Sequence, residues 1–337
     1  MVTRVAIVGA SGYAGGELVR LVQGHPDLEL TAVTAHGNAG QRLGAVHPNL
    51  RSAAELTFAE TTPAAVADAE LIFLALPHGA SGEFAAQLDQ GQKVVDLGSD
   101  HRLIDPALYA KYYSGTQHAP WTYGLPELPG QRSLIAASSR VANTGCHAVA
   151  AILALAPLIA AGAAEAEDVV VVSMSGTSGA GKAAAVHLLG SEVMGDLTAY
   201  KVGAHRHTPE ILQATGARSV SLTPVLAPMP RGILSTVTMR AARSMSADEV
   251  REVLVAAYVD EPFVHVLPAD QQPHTAATSG SNAAHLQCAV DANSGRIIVT
   301  CALDNLGKGA SAQAVQNANL MLGLAETAGL TADGIAP

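Results

Sequence analysis

Up to Ala137 the hydrophobic residues of this chain come in short runs. Residues 2–8, 28–33, 71–76 and 93–97 are such runs, and the one at 71–76 is uninterrupted. Solid apolar runs mark parallel strands buried on both faces, and the helix-period stretches between them supply the crossovers. A fifth short strand is expected at residues 134–137. This alternation predicts an α/β unit, a doubly wound Rossmann-type domain.

Beyond it the pattern changes. Strands are expected at residues 168–174, 219–227, 233–240, 263–267, 286–291 and 296–303, the last two forming a hairpin around Ala292-Asn293-Ser294-Gly295. Only residues 247–258 interrupt them as a clear helix. Runs of strands with few helices predict an α+β domain with a mixed or antiparallel sheet. Residues 148–161 read as an almost wholly apolar helix, and residues 312–325 as an apolar-periodic one. The longest apolar stretch, 148–164, is broken by Pro157 and Gly162 and falls short of the ~20 residues of a membrane span, so a buried helix and no membrane are expected.

A chain of 337 residues has core enough for two domains or one large one. Its net charge of −10, its 14% of charged residues and the lack of any basic block argue against a nucleic-acid partner. Three widely spaced cysteines make neither a disulfide framework nor a zinc pattern, and no metal is expected; they suit a reducing cytoplasm. The first strand is expected to begin at once, so no signal peptide is expected.

The first strand runs straight into Gly9-Ala10-Ser11-Gly12-Tyr13-Ala14-Gly15 and then a helix. Glycines there permit a tight turn and close approach of a pyrophosphate to the helix N-terminus. The second strand ends in Thr34-Ala35-His36-Gly37, with no acid for a ribose 2′-hydroxyl, which favours NADP over NAD. Pro77-His78-Gly79 follows the third strand, where loops carry ligand contacts. After the fourth, Arg102 either clamps a phosphate or carboxylate or pairs at the surface with Asp100 or Asp105.

Chemistry concentrates at Asn143-Thr144-Gly145-Cys146-His147, between an expected strand and the apolar helix. A thiol at a helix start feels the dipole's positive end, which favours thiolate; the alternative is one more buried small hydrophobe. Cys288 and Cys301 sit on apolar strand faces as core residues. The loop Ser175-Gly176-Thr177-Ser178-Gly179-Ala180-Gly181-Lys182 begins like a P-loop, but Ala183 stands where a magnesium-binding hydroxyl is needed, which argues against a nucleotide triphosphatase. It is either a glycine-rich wall of the active cleft or a plain loop. His205 and His207 precede a probable helix, and one of them is the natural acid-base partner of a thiol; in an extended segment only one would face the cleft. Asp304-Asn305-Leu306-Gly307-Lys308-Gly309-Ala310 either lines a cleft or is a solvated helix entry.

Together these motifs, with Leu76-Pro77-His78-Gly79, Ser99-Asp100-His101-Arg102 and His205-Arg206-His207-Thr208-Pro209-Glu210-Ile211, resemble the N-acetyl-gamma-glutamyl-phosphate reductase family of arginine biosynthesis. The resemblance runs from Val5 to about Asn319, and its specificity lies in the order and spacing of the segments. It implies a semialdehyde-dehydrogenase-like plan: residues 1–145 a dinucleotide domain rejoined by a helix at 311–330, and residues 146–310 a catalytic and oligomerisation domain. It implies Cys146 as nucleophile and His205 as acid-base residue. Arg102, Asn143 and Lys308 become substrate ligands, while Pro77, Ser178, Gly179 and Asn305 join Gly9, Ser11, Gly12, Tyr13, Ala14 and Gly15 at NADP.

The resemblance also implies a small acyl phosphate as substrate, a Cys146 thioester, a cytoplasmic location and a homo-oligomer, either dimer or tetramer. The chain departs from the family at Thr144 and His147, where Pro and Tyr are usual, and at Ala312, where Gly is. Aspartate-semialdehyde dehydrogenase, an aminoadipate-type paralogue and a non-catalytic NADPH sensor are the competing readings.

Overall fold

The computed structural model describes residues 2–336. The chain gathers into two compact units: one from the chain up to Pro106, Ser114–Thr144 and Ala310–Leu330, the other from Ala107–Tyr113, Gly145–Gly309 and the residues from Thr331 on.

The first unit carries β1 (Thr3–Val8), β2 (Leu28–Thr34), β3 (Leu71–Leu74), β4 (Lys93–Asp96), β5 (Thr122–Gly124) and β6 (Arg140–Asn143). They form one parallel sheet in the order β2-β1-β3-β4-β6-β5. Both faces are covered, which is why β3 is buried from end to end and β1 from Val5 on. Val5, Ile7, Leu71 and Phe73 pack with the helices Tyr13–Gln23 and Ala312–Leu322, whereas Ala6, Val8, Ile72, Leu74 and Val94 pack on the opposite side with Phe84 and Leu88. Strand order reverses between β1 and β3, the switch point at which such sheets bind ligands beyond their carboxyl ends.

Residues 134–137 are not a strand. They end a helix, Gln131–Ala137, with Ile135 buried and Leu134 58% exposed, and the strand is β6, three residues later. Four apolar residues carry no readable period, so a helix with one buried position passes for a strand. The final helix is Ala312–Leu322, not 312–325. Gly323, at φ 70°, ends it by bonding back to the carbonyls of Asn319 and Leu320.

The second unit carries β7 (Val169–Ser175), β8 (Thr198–Ala199), β9 (Val220–Leu226), β10 (Ile233–Arg240), β11 (Val264–Val266), β12 (Ala284–Val290) and β13 (Arg296–Leu303). Their order is β11-β12-β13-β10-β7-β9-β8. β7 with β9 and β11 with β12 are parallel, the other pairs antiparallel, so the sheet is mixed. Its inner face is covered by the helix Cys146–Ala160, which packs on β10 and β13 and on the helices Thr208–Thr215 and Ala247–Tyr258. The other face is more open, with Val170 and Val172 each 37% exposed. Among the described residues no helix is long and apolar enough to cross a membrane.

Candidate active site

In the first unit the glycine turn leaves β1 at Gly9, whose φ of +82° suits only glycine and whose added Cβ would lie 2.5 Å from the Ala75 carbonyl oxygen. A Cβ on Gly15 would lie 2.4 Å from the Gly9 oxygen. The turn is therefore a cradle that side chains would fill. Gly12 caps the following helix without any side-chain bond, so the opening backbone amides are left for an anion. Ser11 and Ala14 are half-buried and Tyr13 is exposed, and Ser311 Oγ donates to the Ala14 carbonyl at 2.9 Å. This arrangement fits a dinucleotide pyrophosphate. At the end of β2, buried Thr34 and exposed His36 occupy the positions where a ribose-binding acid would stand.

Beyond β3, Pro77 is exposed. The adjoining loop is tied by Asp100, which accepts from the backbone of Gly79 (2.8 Å) and Gly82 (2.9 Å) and from Ser81 Oγ (3.0 Å), and meets His78 Nδ1 at 2.6 Å. Asp96 shares Ser81 Oγ at 3.0 Å and is completely buried. Burial pushes its carboxyl up to about 7, against the pull of the Gly98 amide, Ser81 and Arg102. Arg102 is buried rather than at the surface, and its guanidinium donates to the Leu97 carbonyl at 2.8 Å. Asn143 is also buried: its amide donates to the Ala310 carbonyl at 3.0 Å and accepts from Asn317 at 2.9 Å, bracing β6 against the last helix.

The second unit holds the thiol. Cys146 is the first residue of its helix and the only partly exposed cysteine; Cys288 and Cys301 are buried, and burial drives the Cys301 thiol up to about 12. Gly145, the helix cap, donates its N–H to the wholly buried Glu210 at 3.0 Å. A Cβ on Gly309 would lie 2.8 Å from the Cys146 Cβ, so the 304–309 loop presses directly on Cys146. That loop is anchored by Asp304, paired with Arg231 at 2.7 Å, and by Asn305, which accepts from the Gly232 N–H at 2.8 Å and donates to Ser178 Oγ at 2.9 Å. Ser178, Gly179 and Asn305 are thus brought together. Lys308 is fully buried, its ammonium 5.9 Å from the centre of the Phe263 ring.

His205 and His207 are both inside, which corrects the expectation that only one would turn inward. The segment is a turn rather than a strand, and the two rings meet edge to face at 4.7 Å. His147 joins them at 5.3 Å from His205 and 5.7 Å from His207, and Tyr200 lies 5.7 Å from His205. Burial, then the neighbouring His147, Arg206 and Lys201, hold His205 down to about 3; burial alone holds His147 at about 4. Both imidazoles are neutral at pH 7. Burial, and then the neighbouring Cys146, push the Tyr200 phenol well above its usual range.

Two family models divide the chain between them. Residues 4–136 match the semialdehyde dehydrogenase NAD binding domain, and residues 146–305 the semialdehyde dehydrogenase dimerisation domain. Among solved structures, a probable aspartate-semialdehyde dehydrogenase from Pseudomonas aeruginosa superposes with a TM-score of 0.71 at 21% identity, over 96% of this chain and 99% of that one. One from Candida albicans, solved with NADP, gives 0.67 at 15% identity, over 96% of this chain and 99% of that one. At such identity they show the fold alone. The deciding comparison is with a protein from Salinispora tropica named N-acetyl-gamma-glutamyl-phosphate reductase, 64% identical over 99% of both chains. The chain belongs to the N-acetyl-gamma-glutamyl-phosphate reductase family. A reductase of the same name from Acidothermus cellulolyticus is 57% identical over the full length of both chains.

The reductase family is one of oxidoreductases, and the matched first domain gives this member a nicotinamide dinucleotide cofactor. Tyr200 and Glu210 were not foreseen from the sequence, where His147 already stood out as a departure beside Cys146. Glu210 had a signal, since it follows His207 by three residues at a helix start and its carboxylate lies 4.0 Å from the His207 ring. Tyr200 had none.

Proposed function

We propose that this chain reduces N-acetyl-L-glutamyl 5-phosphate to N-acetyl-L-glutamate 5-semialdehyde and phosphate, with NADPH, through a thioester on Cys146. The observation that carries the chemistry is one partly exposed thiol on the first turn of a helix, beside a cluster of neutral imidazoles. His205, held neutral, takes the thiol proton. The thiolate attacks the acyl carbonyl, the carbon–oxygen bond to phosphate breaks, and the thioester remains on Cys146. The backbone N–H of Cys146 or His147 steadies the oxyanion. Gly9, Ser11, Gly12, Tyr13, Ala14 and Gly15 would hold the cofactor, with Pro77, Ser178, Gly179 and Asn305 as further contacts, and the chemistry it would supply is hydride for the thioester carbon. The tetrahedral alkoxide then collapses to the aldehyde as the carbon–sulfur bond breaks, and His205 returns its proton to the departing thiolate. Arg102, Asn143 and Lys308 are assigned to the substrate's phosphate and carboxylate.

The missing acid after β2 supports NADP rather than NAD. The open sheet face with Val170 and Val172, on a segment matching a dimerisation domain, supports self-association through that face. Three free thiols support a reducing, cytoplasmic setting.

Phosphate-dependent oxidation of the two semialdehydes, assayed side by side with NADP and with NAD, tests this reading. N-acetylglutamate semialdehyde with NADP is expected to be the better pair, and Cys146→Ala to abolish its turnover. Preference for aspartate semialdehyde overturns the assignment.

A further inference from the structure

Two serines interrupt the apolar inner face of the second sheet. β7 buries Val169, Val171, Ser173 and Ser175, and β10 buries Ile233, Ser235, Val237 and Met239. Ser173 and Ser235 are partners across the ladder, fully buried, with hydroxyls 2.6 Å apart. Buried hydroxyls cost stability unless hydrogen-bonded, so this placement calls for a third partner. That partner is His147, whose Nδ1 lies 2.7 Å from Ser173 Oγ. Its other nitrogen, Nε2, lies 3.0 Å from Tyr200 Oη. A single line therefore runs from the sheet interior, through the helix that Cys146 opens, to the Tyr200 phenol, whose ring also lies against His205.

A neutral imidazole has one donor and one acceptor, so the line has two possible directions. If Tyr200 donates to His147, the phenol's only proton is spent inside the protein. If His147 donates to Tyr200, that proton is left for another acceptor. Only the second direction gives Tyr200 a donor's role at the reaction centre. Every link would then donate forward, Ser235 to Ser173 to His147 to Tyr200, and such chains strengthen one another.

We propose that His147 is a positioning residue: accepting from Ser173 at Nδ1 and donating from Nε2, it aims the Tyr200 phenolic proton at the carbonyl oxygen of the acyl group on Cys146. This rests on the acyl-transfer reading above. His147 touches no reacting atom in this account and acts wholly through Tyr200. The chain's departure from the family's usual residue beside the nucleophile thus has a definite consequence. The phenol is steered by an imidazole rooted in the sheet.

A double-mutant cycle on the full chain tests it, with N-acetylglutamate semialdehyde, phosphate and NADP. His147→Leu is expected to lower kcat about tenfold to a hundredfold, the scale of a misdirected oxyanion donor, with KM within about twofold. In a Tyr200→Phe background the same change is expected to cost less than about twofold, because interacting residues are non-additive. Equal losses in both backgrounds overturn the proposal. Should His147→Leu fail to fold, Ser173→Ala serves instead: a several-fold loss of kcat that vanishes with Tyr200→Phe supports the relay, and no loss, or an equal loss in both backgrounds, overturns it. The tautomer is read without substrate by 15N-edited NMR of the histidine-labelled chain, with His147 protonated on Nε2 as the expected result and on Nδ1 as the contrary one. If the semialdehyde is not oxidised at all, the substrate assignment falls while the tautomer still judges the relay.

Discussion

The two units prepare for a ligand by opposite means. In the first the preparation is backbone: glycines at 9 and 15 clear side chains from a turn, and an uncapped helix start offers its amides. In the second it is side chains: Cys146, His147, Tyr200, His205, His207 and Glu210, most of them buried, gather at the start of one helix. A cradle made by omission tolerates little addition. A cluster made of titratable groups depends on their protonation.

The largest effect expected from breaking this contrast lies in the cluster. His205→Asn should lower kcat about a hundredfold to ten-thousandfold, the range of lost acid-base catalysis, with NADP affinity unchanged. His207→Asn should cost clearly less, and steady-state kinetics with cofactor titration distinguish the two. Equal losses would remove the assignment of His205.

On the other side of the comparison, Gly9→Ala adds a methyl where 2.5 Å separates it from a carbonyl oxygen and where φ is +82°. Overpacking of this sort costs about 1–3 kcal/mol. NADP(H) binding should weaken markedly by fluorescence titration, while Cys146 keeps its alkylation rate. A normal cofactor affinity would contradict the cradle.

The smaller effect is on stability, and its sign differs between the units. His147 titrates at about 4 folded against an ordinary 6.5, so its contribution is fully present above pH 6.5 and is lost as pH falls toward 4. Asp96 titrates at about 7 folded against 3.8, so its contribution is full below 3.8 and is lost as pH rises through 7. Each is worth of order a few kcal/mol across its window. Between pH 4 and 6.5, His147→Gln should flatten the rise of Tm with pH, and Asp96→Asn should steepen it. Thermal denaturation across that range checks both signs.

The same contrast explains what could be read in advance. The backbone cradle is local, written in seven consecutive residues, and the α/β class, the mixed sheet and the β12–β13 hairpin follow from period and turn residues that are equally local. The run at 134–137 was too short to carry a period and hid a helix. The ring cluster draws on residues near 147, 173, 200, 205 and 235, which only the sheet pairing brings together. Nothing in Val-Val-Ser-Met marks Ser173 as the support of a histidine twenty-six residues earlier. The burial of Arg102 and the inward turn of both histidines were hidden for the same reason, since each depends on what packs around it.

The central claim is that Cys146 carries the acyl group. Incubating the full chain with N-acetylglutamate semialdehyde and NADP in the absence of phosphate, then quenching and mapping peptides by mass spectrometry, tests it most directly. An N-acetylglutamyl adduct on the Cys146 peptide that disappears when phosphate is added is the predicted result. No adduct, or one on Cys288 or Cys301, would contradict the account.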